Sequence, residues 1–243
     1  MAEGAITYDQ ILISDLEIMN QATNYRNWMY RQIAPHVGAR ILEIGAGIGN
    51  FTEFFQDREL VVPSDNFPAC IGYLERRFAN RTNVQPLPFD IAAEHPPDLT
   101  SYGFDTVVCL NVLEHIEDDE MALRRMWNAL APGGRLVLLV PACQFIYGTV
   151  DRSLGHFRRY SRRNLLPKMR SAGFHVETCF SMNLLGIAGW FLNNRVLRRR
   201  QESRNQVVFF DRVVVPVVER MERVVAPPIG MSLIAIGRKR QSA

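Results

Sequence analysis

An α/β fold around a mostly parallel sheet is predicted by three observations. Apolar runs of strand length alternate with helical, amphipathic segments; a glycine-rich turn carrying Gly45, Gly47 and Gly49 follows the first run; and a polar residue ends each of the next three. The 243 residues, 47% hydrophobic and 22% charged, suit one domain with a sizeable core. The net charge of +3 is too small to imply nucleic acid, although arginines gather in the second half, at 158, 159, 162, 163 and from 195 to 200. Cysteines at 70, 109, 143 and 179 form no C-x-x-C pair, so neither a zinc site nor a disulfide framework is expected, and a reduced, cytoplasmic setting is. No leader-like start and no apolar run of about 18 residues is present, so no membrane span is expected.

Residues 8 to 34 carry apolar residues at helical spacing and lead to Pro35 and Gly38, which stop them. Arg40 to Ile44 is a buried strand, and the glycine turn behind it opens a helix near Phe51 to Phe55. Glycines there let backbone approach a ligand closely. Glu59 to Asp65 is a second strand, a helix over 69 to 80 follows, and Asn83 to Leu87 is a short third strand before Asp90. Phe104 to Asn111 is a fourth strand, 118 to 128 an amphipathic helix, and Arg135 to Pro141 a fifth strand. Asn164 to Ala172 is a helix behind Ser161, His175 to Met182 a sixth strand, and Ser232 to Arg238 the last. About fifty residues separate these two strands, far more than a hairpin needs.

Asp65 stands 20 residues beyond Gly45, the spacing that lets a carboxylate at the second strand's end accept from both hydroxyls of a ribose; its alternative is a helix cap. Asp90 could accept from an adenine amine with Ile91 against the ring, or cap a turn. A nicotinamide-binding fingerprint would put its third glycine where Asn50 stands.

Taken together, Glu43 with the three glycines, Asp65, Asp90, Asn111-Val112-Leu113-Glu114-His115 and Leu130 with Pro132-Gly133-Gly134 resemble the class I S-adenosylmethionine-dependent methyltransferases over roughly residues 24 to 182. Asn24-Tyr25 with Trp28, Gly155 to Ser161, Asn183 to Gly186 and Pro227-Pro228 resemble a bacterial subgroup of them, the type 11/12 methyltransferases. The resemblance implies a three-layer Rossmann-like methyltransferase fold: a mostly parallel seven-stranded sheet, an antiparallel last strand and a helical insertion between the last two strands. It implies one domain, with an N-terminal helical cover (1–38), a cofactor-binding core (39–182), an insertion or lid (183–231) and the last strand (232–239). The implied cofactor is S-adenosyl-L-methionine, leaving as S-adenosyl-L-homocysteine. Glu43, Gly45, Ala46, Gly47 and Gly49 would meet its methionine and ribose part, Asp65 and Asn66 its ribose, and Asp90 and Ile91 its adenine. Asn111, Val112 and His115 would lie by the sulfonium, His115 serving alternatively as a cap on the next helix. From the residues themselves, Tyr25-Arg26-Asn27-Trp28 either covers the glycine turn or only packs the leading helix on the sheet. The subgroup's second acid near the adenosine is missing, since Asn66-Phe67 follows Asp65.

The stretch Tyr147 to Ser161 lies where the acceptor pocket opens in this fold. His156 there either orients or deprotonates the acceptor, with Tyr147 and Tyr160 lining its pocket and Arg158 or Arg159 engaging an anionic group, or it holds a loop. Trp190 is a further acceptor-side residue, and no metal-ligand cluster is expected. In the insertion, apolar segments within 184–218 adjoin arginines, which suits a lid, a homodimer face or peripheral contact with a membrane. Methyl transfer to a small-molecule or lipid-like acceptor, most readily at oxygen, is the expected activity. The alternative is a cofactor-binding protein with a cyclising or regulatory role.

Overall fold

The computed structural model describes residues 8–192 and 204–240. The expected arginines at 195 and 198–200 lie outside them. Two helices, α1 (Tyr8–Asn20) and α2 (Thr23–Ile33), precede a seven-stranded sheet of order β3-β2-β1-β4-β5-β7-β6. Its strands are β1 (Arg40–Ile44), β2 (Leu60–Asp65), β3 (Leu87–Pro88), β4 (Phe104–Leu110), β5 (Leu130–Pro141), β6 (Phe174–Met182) and β7 (Ser232–Lys239). The first five run parallel, and β7 enters antiparallel between β5 and β6. The expected seven-stranded sheet with its reversed last strand is therefore present. The third strand is shorter than 83–87 suggests: only Val84 bridges to Val61 before Leu87–Pro88, because Pro86 has no N–H for the ladder.

Side chains alternate across the sheet, and each face has its own helices. On one face Leu42, Ile44, Val107, Leu136 and Leu138 pack with α5 (Asp119–Ala129) and α7 (Arg162–Ser171) through Leu123, Met126, Leu165 and Met169. On the other, Ile41, Val61, Val108, Val137 and Ile234 pack with α2 and α4 (Pro68–Arg77) through Trp28, Ile33, Ile71 and Leu74. Between β1 and β2 lies the short α3 (Thr52–Phe55); α6 (Thr149–Ser153) follows β5 and α8 (Gly186–Phe191) follows β6.

The second half of the insertion completes that second helix layer. Here α9 (Arg204–Phe209), a π-helical turn (Phe210–Val214) and α10 (Val215–Val224) form one continuous helix, whose Val215 and Val218 are buried beside α2. Pro216 lacks an N–H, and the wider turn just before it accommodates the missing bond. Three carboxylates of this helix turn inward. Asp211, 2% exposed, accepts from the backbone N–H groups of Tyr25 at 2.8 Å and Asn24 at 3.3 Å, closing the first turn of α2, which has no side-chain cap of its own. Glu219 takes a bidentate pair from Arg31 of α2 at 2.9 and 2.8 Å, and Glu222 accepts from Asn183 N at 3.0 Å and Leu184 N at 2.7 Å.

Replacing Asp211 with Ala is expected to lower stability by about 1–3 kcal/mol, because the part-buried donors of the first turn of α2 lose their acceptor. Urea unfolding of D211A and D211N measures it, with Asn, which keeps one acceptor oxygen, losing less.

Candidate active site

The glycine turn is built by a buried strand that must change direction at the sheet's carboxyl edge. Gly45, Gly47 and Gly49 all take positive φ, at 68°, 56° and 83°. A Cβ on Gly45 would stand 2.4 Å from Cγ2 of Val112, so the loops after β1 and β4 meet with no room for a side chain. Asp65 ends β2 and joins the turn: its Oδ2 accepts from Gly47 N at 2.9 Å and its Oδ1 from Phe67 N at 3.0 Å. A carboxylate has about four acceptor positions, which leaves capacity for ligand hydroxyls. Glu43 lies beneath, with Oε2 accepting from Thr52 Oγ1 at 2.6 Å, and burial pushes its carboxyl up to about 8. Ala46 N donates to Ser64 O at 2.9 Å. Asn66 and Asp90 come together at 3.4 Å, with Ile91 buried beside them, and Asn111, at φ 54°, donates its N–H to Leu139 O just past β4. The cofactor-side residues expected after β1, β2, β3 and β4 thus converge on one edge. Open backbone, carboxylates and an amide fit a cationic cofactor bearing a ribose.

Tyr25 packs against the same apolar cluster as Ala46 of the turn, its ring edge-on to buried Trp28 at 6.1 Å. Leu16 of α1 also lies over the turn, 3.1 Å from where a Cβ on Gly47 would be. Two arginines brace the turn: Arg26 donates to Asn50 O at 2.7 Å and Arg77 to Ile48 O at 2.9 Å, and both pair with Glu53. Arg26 belongs to the Tyr25 to Trp28 stretch read as able to cover the turn; Arg77 carried no expectation, although a helix-borne arginine near a glycine turn, whose carbonyls lack regular partners, was the available signal.

The acceptor-side loop leaves β5 at Pro141 and returns at Tyr160, whose N–H donates to Pro141 O at 2.8 Å. Its centre is Asp151, fully buried. Asp151 Oδ1 accepts from Arg159 Nε at 2.7 Å and lies 3.1 Å from His156 Nδ1; its Oδ2 accepts from Gly148 N at 2.9 Å and Trp190 Nε1 at 3.3 Å. Burial pushes this carboxyl up, but the His156 hydrogen bond and the Arg159 charge outweigh it and hold it below the usual carboxylate range. An ionised Asp151 can only accept, so His156 donates to it from Nδ1, and Nε2 is the ring nitrogen not committed to Asp151.

Beside His156 stand two residues of the β4 loop. The His115 ring lies edge-on at 4.6 Å between centroids, and ligand atoms of Glu114, His115 and His156 all fall within 4.8 Å of one another. No metal-ligand cluster is apparent along the chain; the fold assembles this one from loops distant in sequence. Both Glu114 oxygens are buried without a hydrogen-bond partner, and burial pushes the carboxyl up to about 8. Desolvation, then His156, pulls His115 down to about 4.

Two expectations for this loop need correcting. Tyr160 lines no pocket: its ring is fully buried in the core and its hydroxyl donates to Asp119 Oδ2 at 2.8 Å. Arg159 has its guanidinium committed to Asp151 and to Ala142 O at 3.0 Å, under the Trp190 ring at 4.7 Å, while Arg158 pairs with Asp119 at 2.9 Å and donates to Glu117 O at 2.7 Å. Both arginines fasten the loop. Tyr147 donates to His156 O at 2.8 Å, which supports the histidine from its backbone side.

Glu114 makes a pH test. Folded, its carboxyl keeps a proton to about pH 8; unfolded, it loses it near 4.5, so stability falls as pH rises through that window. In chelator, E114Q is expected to gain on the wild type between pH 5 and pH 8 by an amount on the order of a few kcal/mol. Paired urea titrations at the two pH values check this, and Glu43, common to both proteins, cancels.

Known proteins share sequence and fold with this chain. The ubiquinone biosynthesis O-methyltransferase of Xanthomonas euvesicatoria pv. vesicatoria (strain 85-10) is 25% identical over 197 residues, 74% of this chain and 77% of that protein. The protein of the same name from Pseudomonas putida (strain GB-1) is 25% identical over 167 residues, 62% of this chain and 70% of that one. Among solved structures, the N-methyltransferase NodS from Bradyrhizobium japonicum WM9 with S-adenosyl-L-homocysteine matches with a TM-score of 0.54 at 18% identity, covering 88% of this chain and 84% of that one. The [4+2]-cyclase SpnF matches at 0.61 and 15%, covering 98% of each chain. Identities this low speak for the fold alone. A methyltransferase-domain family model matches residues 22–178, well over half of the chain, and the protein therefore belongs to that family as a class I S-adenosylmethionine-dependent methyltransferase.

Proposed function

We propose that this enzyme methylates an oxygen of a small-molecule acceptor bearing an apolar portion, with His156 as the base. The observation that carries this reading is the buried Asp151 paired with His156, next to the sheet edge where Asn111 and the glycine turn converge. S-adenosylmethionine supplies a methyl carbon activated by positive sulfur, which an acceptor oxygen displaces in line. The protein's part is to hold that oxygen about 3 Å from the carbon, a positioning effect of about 7–11 kcal/mol, and to take its proton. His156 Nε2 suits the second task, because Asp151 orients the ring and stabilises the imidazolium that forms. Neutral His115 and protonated Glu114 add no charge near a cationic sulfur at neutral pH.

An oxygen acceptor is also supported by the relatives, which carry the name O-methyltransferase at about 25% identity. Exposed Phe145, Leu154 and Phe157 in the same loop, with Leu185 and Phe191 at α8, make an apolar rim and suit a partly greasy acceptor. One observation favours a second form of the mechanism: the two partnerless Glu114 oxygens beside two imidazoles would suit a divalent cation, with Asp151 behind His156 as the outer carboxylate. Such an ion would acidify the acceptor hydroxyl directly.

H156A is expected to lower kcat by about 10²–10⁴ while S-adenosylmethionine binding, read by calorimetry, stays as in the wild type. Turnover near wild type at saturating acceptor would remove His156 from the chemistry. Activity lost in chelator and restored by a divalent cation selects the second form; activity indifferent to chelator selects the base alone.

A further inference from the structure

Among the described residues, neither the fold nor the site uses the outer face of the α9–α10 helix. Phe209, Val213, Val217 and Met221 follow one another at four-residue steps, with Val224 three further on, so they form a single stripe. Each is between 51% and 85% exposed, opposite the buried Asp211, Val215 and Val218. The helix is uninterrupted from Arg204 to Val224, and the stripe from Phe209 to Val224 spans about 23 Å of it.

Charge along the same helix is sorted by face. Its acids, Asp211, Glu219 and Glu222, are held inward by α2 and by the turn after β6. Its exposed ionisable side chains are arginines, at 204, 212, 220 and 223. Arg204 donates to Gln21 and Arg223 to Glu219, whereas Arg212 and Arg220 flank the stripe and make no ion pair among the described residues. An apolar stripe edged by cations, on a helix too short in apolar run to cross a bilayer, is the composition of an interfacial helix.

We propose that this face docks the enzyme on an anionic lipid surface, with the apolar side chains in the headgroup boundary and Arg212 and Arg220 among the lipid phosphates. A second copy of the chain is a poorer occupant, because a twofold contact through the stripe would set like-charged arginines against one another. Docking there also has a direction. Glu222 joins the end of α10 to Leu184, just before α8, and Trp190 of α8 reaches the Asp151 that holds His156. The face does not depend on the identity of the acceptor.

Flotation of the purified enzyme with phosphatidylcholine vesicles, and with vesicles containing a quarter phosphatidylglycerol, tests the proposal. Binding to the anionic vesicles only, weakened by salt, is expected. R212Q/R220Q should reduce the partition coefficient roughly tenfold or more, since each arginine near such a surface is worth about 1 kcal/mol. V217E/M221E should abolish binding. Both variants should melt and bind S-adenosylmethionine like the wild type, because the altered side chains are exposed. Wild-type protein left at the bottom of both gradients overturns the proposal, as does binding that both variants retain. A dimer in sedimentation velocity that V217E/M221E dissociates, without vesicle binding, would assign the face to self-association instead.

Discussion

A fully buried carboxylate, Asp151, is the constraint around which the loop after β5 and its neighbours are arranged. A charge withdrawn from water must be matched by hydrogen bonds and opposite charge, and removing one partner leaves the rest uncompensated. Here the match comes from four directions: Arg159, His156, the Gly148 backbone and Trp190. Satisfying one carboxylate therefore fixes the loop after β5, the imidazole within it and the first helix of the insertion relative to one another. The donation from His156 Nδ1 follows from the same requirement.

The neighbouring groups are handled in the opposite way. Glu114 and Glu43 are buried without a compensating cation in direct contact, and the outcome is a proton retained to about pH 8 rather than a charge. His115 stays neutral for the same reason. The ionised Asp151–Arg159 pair therefore sits behind a set of neutral polar groups, a distribution without strong fields competing for a cationic cofactor.

The insertion is a structural layer as well as an accessory. Its inward carboxylates bind α2, whose Arg26 reaches the glycine turn through Asn50 O. The same sorting leaves the outward face apolar and basic.

Strand and helix alternation, the glycine turn and the polar residue closing each of β2 and β4 were legible along the chain, because backbone periodicity and turn chemistry are local. So was the position of His156 in a loop beyond β5. What was not legible depends on distant segments meeting. The capture of Tyr160 by Asp119, the bracing of the turn by Arg26 and Arg77, and the gathering of Glu114, His115 and His156 all join residues from separate segments. Local pattern assigned the elements, their order and the cofactor edge. Only the packed structure decided which charged side chains are spent on one another and which face the ligand, since burial and the partner that answers it are properties of the whole fold.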